Sequence, residues 1–66
     1  MTVKFEAEAM RAGRFVVRPA GKLGTGGWID GVPWTADFCS ARQVNSTINR
    51  LTRQFKEAEA KLKSQQ

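Results

Sequence analysis

The sequence predicts an α+β fold: an antiparallel β-meander of three to four strands, arranged as two hairpins, followed by one long C-terminal amphipathic helix packed on one sheet face. Apolar and polar residues alternate over 3–18, an Asp-Gly turn signal lies near the middle of the chain, and 40–66 contains neither glycine nor proline. At 66 residues, the chain is expected to form one small domain, with sheet over 2–39, helix over 40–63 and a frayed tail over 64–66.

The first hairpin is predicted from the alternation on both sides of a short loop. Residues 3–9 and 14–18 place apolar side chains at every second position, which is typical of half-buried strands. Gly13 supplies the positive φ that ends a three-residue hairpin loop. The resulting register sets Glu8 opposite Val16, with both residues on the outer face of the sheet.

The second hairpin is predicted from Asp30-Gly31, because a type I′ turn needs positive φ at both central residues. We expect strands over 27–30 and 32–38 on either side of this turn. Alternation then places the second strand's apolar residues on the inner face, and these are Val32, Trp34, Ala36 and Phe38. Trp28 falls on the outer face.

The C-terminal helix is predicted from its cap and its periodicity. Ser40 with Gln43 forms a capping-box signature, and Cys39 before the cap can pack on Val44 as a hydrophobic staple. Apolar residues then recur at alternating steps of three and four, the pattern of a heptad seam, at Ala41, Val44, Ile48, Leu51, Phe55, Ala58 and Leu62.

The predicted helix is longer than the strands it covers. It would run roughly 35 Å against about 20 Å for a strand, so about ten residues overhang the sheet. Two interpretations stay open. Either the helix tilts and Phe55 caps the sheet end, or the overhang is a self-association surface formed by Phe55, Ala58 and Leu62 and the chain is a homodimer.

Composition excludes several classes of function. The chain has no histidine and only one cysteine, Cys39, so an internal disulfide, a thiolate zinc site and the usual general base are absent. We expect a cytoplasmic, non-enzymatic protein without a cofactor or a membrane partner, since no apolar run approaches membrane-spanning length. The glycine-rich segment 21–27 lacks the ending and the following helix of a phosphate-binding loop.

The charge is strongly basic and unevenly distributed. Eleven Lys and Arg residues against six Asp and Glu give a net charge of +5. No acidic residue occurs between positions 40 and 56, within the predicted helix. A positive field of this kind attracts nucleic acid and acidic proteins alike.

Two sets of residues are predicted to contact a partner. Arg14, Arg18 and Trp28 share the outer sheet face, where arginine and tryptophan are typical binding residues. The second set forms a stripe opposite the apolar seam of the helix, at Arg42, Ser46, Asn49, Arg53 and Lys56. The function favoured is a protein-binding module of the inhibitor or adaptor type, which acts on an acidic partner through the outer sheet face and the basic helix. The alternative is nucleic-acid binding through the stripe, whose residue types contact phosphates, and a solvated face remains the default for such a stripe.

Overall fold

Five β-strands and one long helix make up most of residues 3–64, the part of the chain that the computed structural model describes. The strands are β1 (Phe5–Ala9), β2 (Arg14–Pro19), β3 (Gly26–Ile29), β4 (Val32–Thr35) and β5 (Asp37–Ser40), and the helix is α1 (Val44–Ser64). They form a three-stranded antiparallel sheet in the order β1-β2-β5 and a two-stranded sheet of β3 and β4. The helix packs against strands of both sheets. This arrangement confirms the predicted α+β class with its C-terminal helix.

The first hairpin has the predicted register. Glu8 lies opposite Val16, and Glu6 lies opposite Arg18. The loop ends at Gly13, whose φ is 73°, and Ala12 before it also has a positive φ, of 57°. The glycine is required here because a side chain at this φ would strain the backbone.

The second hairpin also has the predicted register and turn. Ile29 lies opposite Val32, and the two turn residues Asp30 and Gly31 have φ values of 52° and 80°. Positive φ at both positions is the type I′ geometry that matches the twist of the flanking strands. Trp34 lies opposite Gly27, and its indole occupies the space that a side chain there would take.

The segment 32–38, predicted to be one strand, forms parts of two strands, because the strand conformation is interrupted at Ala36. The alternation slips by one position at the break: Trp34 and Cys39 are both buried, although an uninterrupted strand would place them on opposite faces. Phe38, predicted to face inward, lies on the outer face and is 46% exposed.

The cause of this slip is the pairing of β5 with β2. Cys39 lies opposite Phe15, which orients Cys39 toward the core. At the break, the Ala36 amide donates a hydrogen bond to the Thr25 carbonyl at 2.9 Å. The chain therefore leaves the β3-β4 sheet after Thr35 and enters the three-stranded sheet, so the two hairpins do not share one continuous sheet.

One hydrophobic core lies between α1 and the two sheets. Its buried members are Phe5, Val17, Val32, Trp34, Cys39, Leu51 and Phe55. Both sheets contribute to it, so the opposite faces of both sheets point away from the helix. Val16 lies on that outer face and is still buried, since Glu8 and Phe38 flank it on the neighbouring strands.

The helix begins and ends close to the predicted positions. A 3₁₀ turn over Ala41–Gln43 precedes α1, and the Gln43 side chain accepts a hydrogen bond from the Ser40 amide at 3.3 Å. This contact is half of the predicted capping box. The helix includes Ser64, which was predicted to fray, and the rest of that predicted tail lies outside the described residues.

The predicted overhang of α1 is wrong for Phe55. At roughly 1.5 Å per residue the helix is about 32 Å long, but the β3-β4 sheet extends the layer beneath it. Phe55 is 5% exposed, and its ring meets that of Phe5 edge-on with 6.1 Å between centroids. Farther along, Leu62 lies close to the turn at Gly31. The seam is therefore covered at Phe55 by Phe5 of β1 and approached at Leu62 by the β3-β4 turn.

Candidate binding surfaces

The outer sheet face is the side of both sheets turned away from α1. Its residues alternate along the strands with core residues, which fixes their direction. The predicted members Arg14, Arg18 and Trp28 all lie on it, and the structure adds Phe38. The face is therefore defined here by Arg14, Arg18, Trp28 and Phe38.

Trp28 is the most exposed aromatic residue of this face. Its side chain is 70% exposed and lies opposite Pro33, which is also exposed. The adjacent pair, Ile29 and Val32, faces the core instead. The indole therefore projects from the β3-β4 sheet with little support from its own chain.

The two arginines occupy the other sheet and differ in their surroundings. Arg14 is exposed, whereas the Arg18 side chain is only 16% exposed. Arg18 forms an ion pair with Glu8 and donates a hydrogen bond to the Gly24 carbonyl at 3.5 Å. Arg18 is thus held by its own chain, and Trp28 does not share a sheet with either arginine.

Phe38 is the residue of this face that sequence reasoning missed. It lies opposite Val16, which makes it a diagonal cross-strand neighbour of Arg14 on the same sheet. A signal for its direction was present in the sequence. A staple residue at Cys39 must face the helix to pack on Val44, and Phe38 must then face outward.

The helix outer face is formed by the five residues of the predicted stripe, all of which are exposed: Arg42, Ser46, Asn49, Arg53 and Lys56. Four of them belong to α1 and, at 100° per residue, lie within about 40° of one line along it, whereas Arg42 lies in the 3₁₀ turn just before α1. The buried helix residues Thr47, Leu51 and Phe55 lie on the opposite side. All five predicted side chains are thus exposed, and the four that belong to α1 share one face of the helix.

Charge pairing separates Arg50 from the helix outer face. Its guanidinium forms an ion pair with Asp37 of β5. This hydrogen bond from Arg50 holds the pKa of the Asp37 carboxyl below its ordinary value, against a smaller opposing effect of burial. The contact connects β5 to α1, and it pairs the charge of Arg50, which lies beside the stripe, with a carboxylate of the same chain.

The cations of the helix outer face have no such partner among residues 3–64, where the ion pairs are Arg18–Glu8 and Arg50–Asp37. Arg53 and Lys56 line a shallow, open depression between side chains of α1 on this face. Glu57 lines the same depression and is the acidic residue next to them.

The predicted self-association residues do not form one exposed surface. Phe55 is a core residue, and Ala58 is half-buried against the same core. Leu62 is 36% exposed, so it alone of the three keeps substantial accessible area. The hypothesis of an exposed apolar seam is therefore wrong for Phe55, which cannot reach a second copy without unpacking its own core.

Groups suited to metal or redox chemistry are sparse in the described part of the chain. Across residues 3–64, no three His, Cys, Asp or Glu side chains come together in a way that could hold a metal ion. Cys39 is buried in the core. The long helix of the described region, α1, is too polar to cross a membrane.

No family model matches this sequence, and comparison with curated proteins and with solved structures gives no match.

Proposed function

We propose that this chain is a small, non-enzymatic protein-binding module of the inhibitor or adaptor type, and that it docks through its outer sheet face. The observation that carries the proposal is the exposure of two large aromatic side chains on that face, 70% for Trp28 and 46% for Phe38. Both side chains keep a large part of their apolar surface in contact with water. A partner that covered this surface would gain the free energy of removing it from water.

The neighbouring charges favour a partner with an acidic surface. Arg14 is exposed on the same sheet as Phe38, and the chain as a whole carries a net charge of +5. Attraction by this field speeds the encounter with an acidic protein. The aromatic side chains that become buried on binding determine how slowly the complex dissociates. Tryptophan and arginine are the residue types most often found at the centre of such contacts.

Binding alone is sufficient for this role. An inhibitor or adaptor acts by covering or connecting surfaces, and it needs no proton transfer or bound cofactor. The absence of histidine from the sequence removes the side chain best suited to acid–base catalysis near neutral pH. We therefore assign no catalytic residue.

The test is affinity capture from a nuclease-treated extract of the source cell, with the chain immobilised. Trp28→Ala is expected to weaken recovery of the captured protein about 30-fold, which corresponds to about 2 kcal/mol for a residue at the centre of an interface. Phe38→Ala is expected to weaken it as well. Leu23→Ala is the matched control, because Leu23 is an 81% exposed apolar residue in the loop between β2 and β3.

Each variant should first be shown to fold by its thermal melting curve. Recovery of the same protein by wild type and Leu23→Ala, but not by Trp28→Ala, would support the proposal. Equal recovery by wild type and Trp28→Ala would contradict it. Loss of recovery in Leu23→Ala alone would place the contact in the loop rather than on the outer sheet face.

A further inference from the structure

The helix outer face differs in chemistry from the outer sheet face, on the other side of the molecule. Its five side chains are all polar or cationic, and none offers an apolar anchor. A protein interface usually needs a desolvated apolar or aromatic centre. The backbone of a nucleic acid needs only cations and hydrogen-bond donors, because its surface is a row of phosphates.

We infer that the helix outer face is a second binding surface, separate from the proposed protein contact, and that it binds the phosphate backbone of nucleic acid. Arg42, Arg53 and Lys56 supply the charge, and Asn49 supplies a neutral hydrogen-bond donor between them. The Ser46 hydroxyl lies in the same row but donates its hydrogen bond to the Gln43 carbonyl at 3.1 Å. All five side chains are exposed, and none of the three cations takes part in the ion pairs of the described residues.

The layout of the face suits a linear polyanion. Successive members recur about once per helical turn, or roughly every 5.4 Å, so the row from Arg42 to Lys56 is about 20 Å long. Long cationic side chains in such a row can each reach a different phosphate. A row that contacts phosphates along one line carries little information about base sequence, so we expect weak sequence preference.

The ion pair on β5 limits the number of contacts. Arg50 is near the stripe in sequence, but Asp37 already holds its guanidinium. The face therefore has three available cations rather than four. Since log affinity falls with log salt by about 0.9 for each phosphate neutralised on duplex DNA and about 0.7 on single strands, the expected slopes are about 2.7 and 2.1.

Glu57 provides an independent check on the location of the contact. It lies beside Arg53 and Lys56 on α1, so its carboxylate would lie close to a phosphate bound by them. Like charges at that distance repel, and the repulsion is screened as salt increases. Glu57→Gln is expected to tighten binding about twofold at low salt.

The experiment is fluorescence anisotropy of a short labelled DNA duplex, and of one of its strands alone, titrated with the full chain. Affinity for the duplex should fall about 40-fold between about 50 mM and about 200 mM salt. Arg53→Ala should reduce the duplex slope from about 2.7 to about 1.8. Arg11→Ala is the matched control: it removes the same charge from an exposed site in the β1-β2 loop and should leave the slope unchanged.

Three results would overturn the inference. The first is no binding of either probe at about 50 mM salt. The second is an equal loss in Arg53→Ala and Arg11→Ala, which would assign the effect to net charge alone. The third is binding of polyglutamate but not of DNA, with the same loss in Arg53→Ala, which would make the face a contact for acidic protein.

Discussion

The two exposed surfaces of this small protein have opposite chemistry. The outer sheet face presents Trp28 and Phe38 and holds one of its arginines in an ion pair with Glu8. The helix outer face presents only polar and cationic side chains, such as Arg53. Exposure alone therefore does not define what a surface binds. An aromatic surface gains most from being covered, whereas a cationic surface gains most from a polyanion, and only the second gain depends steeply on salt.

The largest effect that tests this comparison lies in the β3-β4 sheet, which has one tryptophan on each side. Trp34→Ala should lower the free energy of unfolding by about 3–5 kcal/mol, because Trp34 is buried between the sheet and α1. Trp28→Ala should change it by less than about 0.5 kcal/mol, because the indole is exposed. Urea denaturation monitored by circular dichroism measures both. Equal losses would mean that Trp28 supports the fold and is not free to bind.

A smaller expected effect is the coupling energy between Phe5 and Phe55, which reports on the side of α1 that faces the core. Phe5 and Phe55 meet edge to face, an arrangement that contributes about 0.5–1.5 kcal/mol beyond the area it buries. A double-mutant cycle of Phe5→Leu and Phe55→Leu should yield a coupling energy of that size. Additive losses would contradict the contact between the two rings, which is the contact that joins the buried side of α1 to β1.

The smallest effect concerns the ion pair that separates Arg50 from the helix outer face. Asp37→Asn should cost only about 0.2–1 kcal/mol at neutral pH, since both side chains are about half exposed to solvent. The pKa of Asp37 is lower in the folded chain than in the unfolded one, so the carboxylate stabilises the fold at neutral pH. That contribution is lost as the pH falls through the folded pKa, below the ordinary aspartate value.

Urea melts of wild type and Asp37→Asn at a series of pH values would test this sign. The difference in stability between the two proteins should be present at neutral pH and should vanish in acid. A difference that grew on acidification would contradict the assigned ion pair. Arg50→Gln should give the same pattern, because it removes the hydrogen bond that lowers the pKa of Asp37.

Local sequence determined both hairpins and the helix of this protein. Gly13 and the pair Asp30-Gly31 specify turns through their tolerance of positive φ, and each turn sets the register of the strands it joins. The periodicity of apolar residues over 40–63 likewise specified the helix and the stripe opposite its buried side. These features depend on residues close together in the chain, so they can be predicted without the tertiary structure.

Tertiary structure decided the features that depend on distant residues. The pairing of β5 with β2 joins residues twenty or more positions apart, as in Phe15 opposite Cys39, and it shifts the alternation at Ala36. That shift turned Phe38 outward and so created half of the aromatic surface. Packing against the shared core buried Phe55, whose ring meets that of Phe5 on β1. The periodicity of the helix alone predicts that Phe55 is on the apolar side but not which residue covers it. Local conformational preference sets turns and periodicity, whereas strand partners and covered faces are selected by the burial of the whole core.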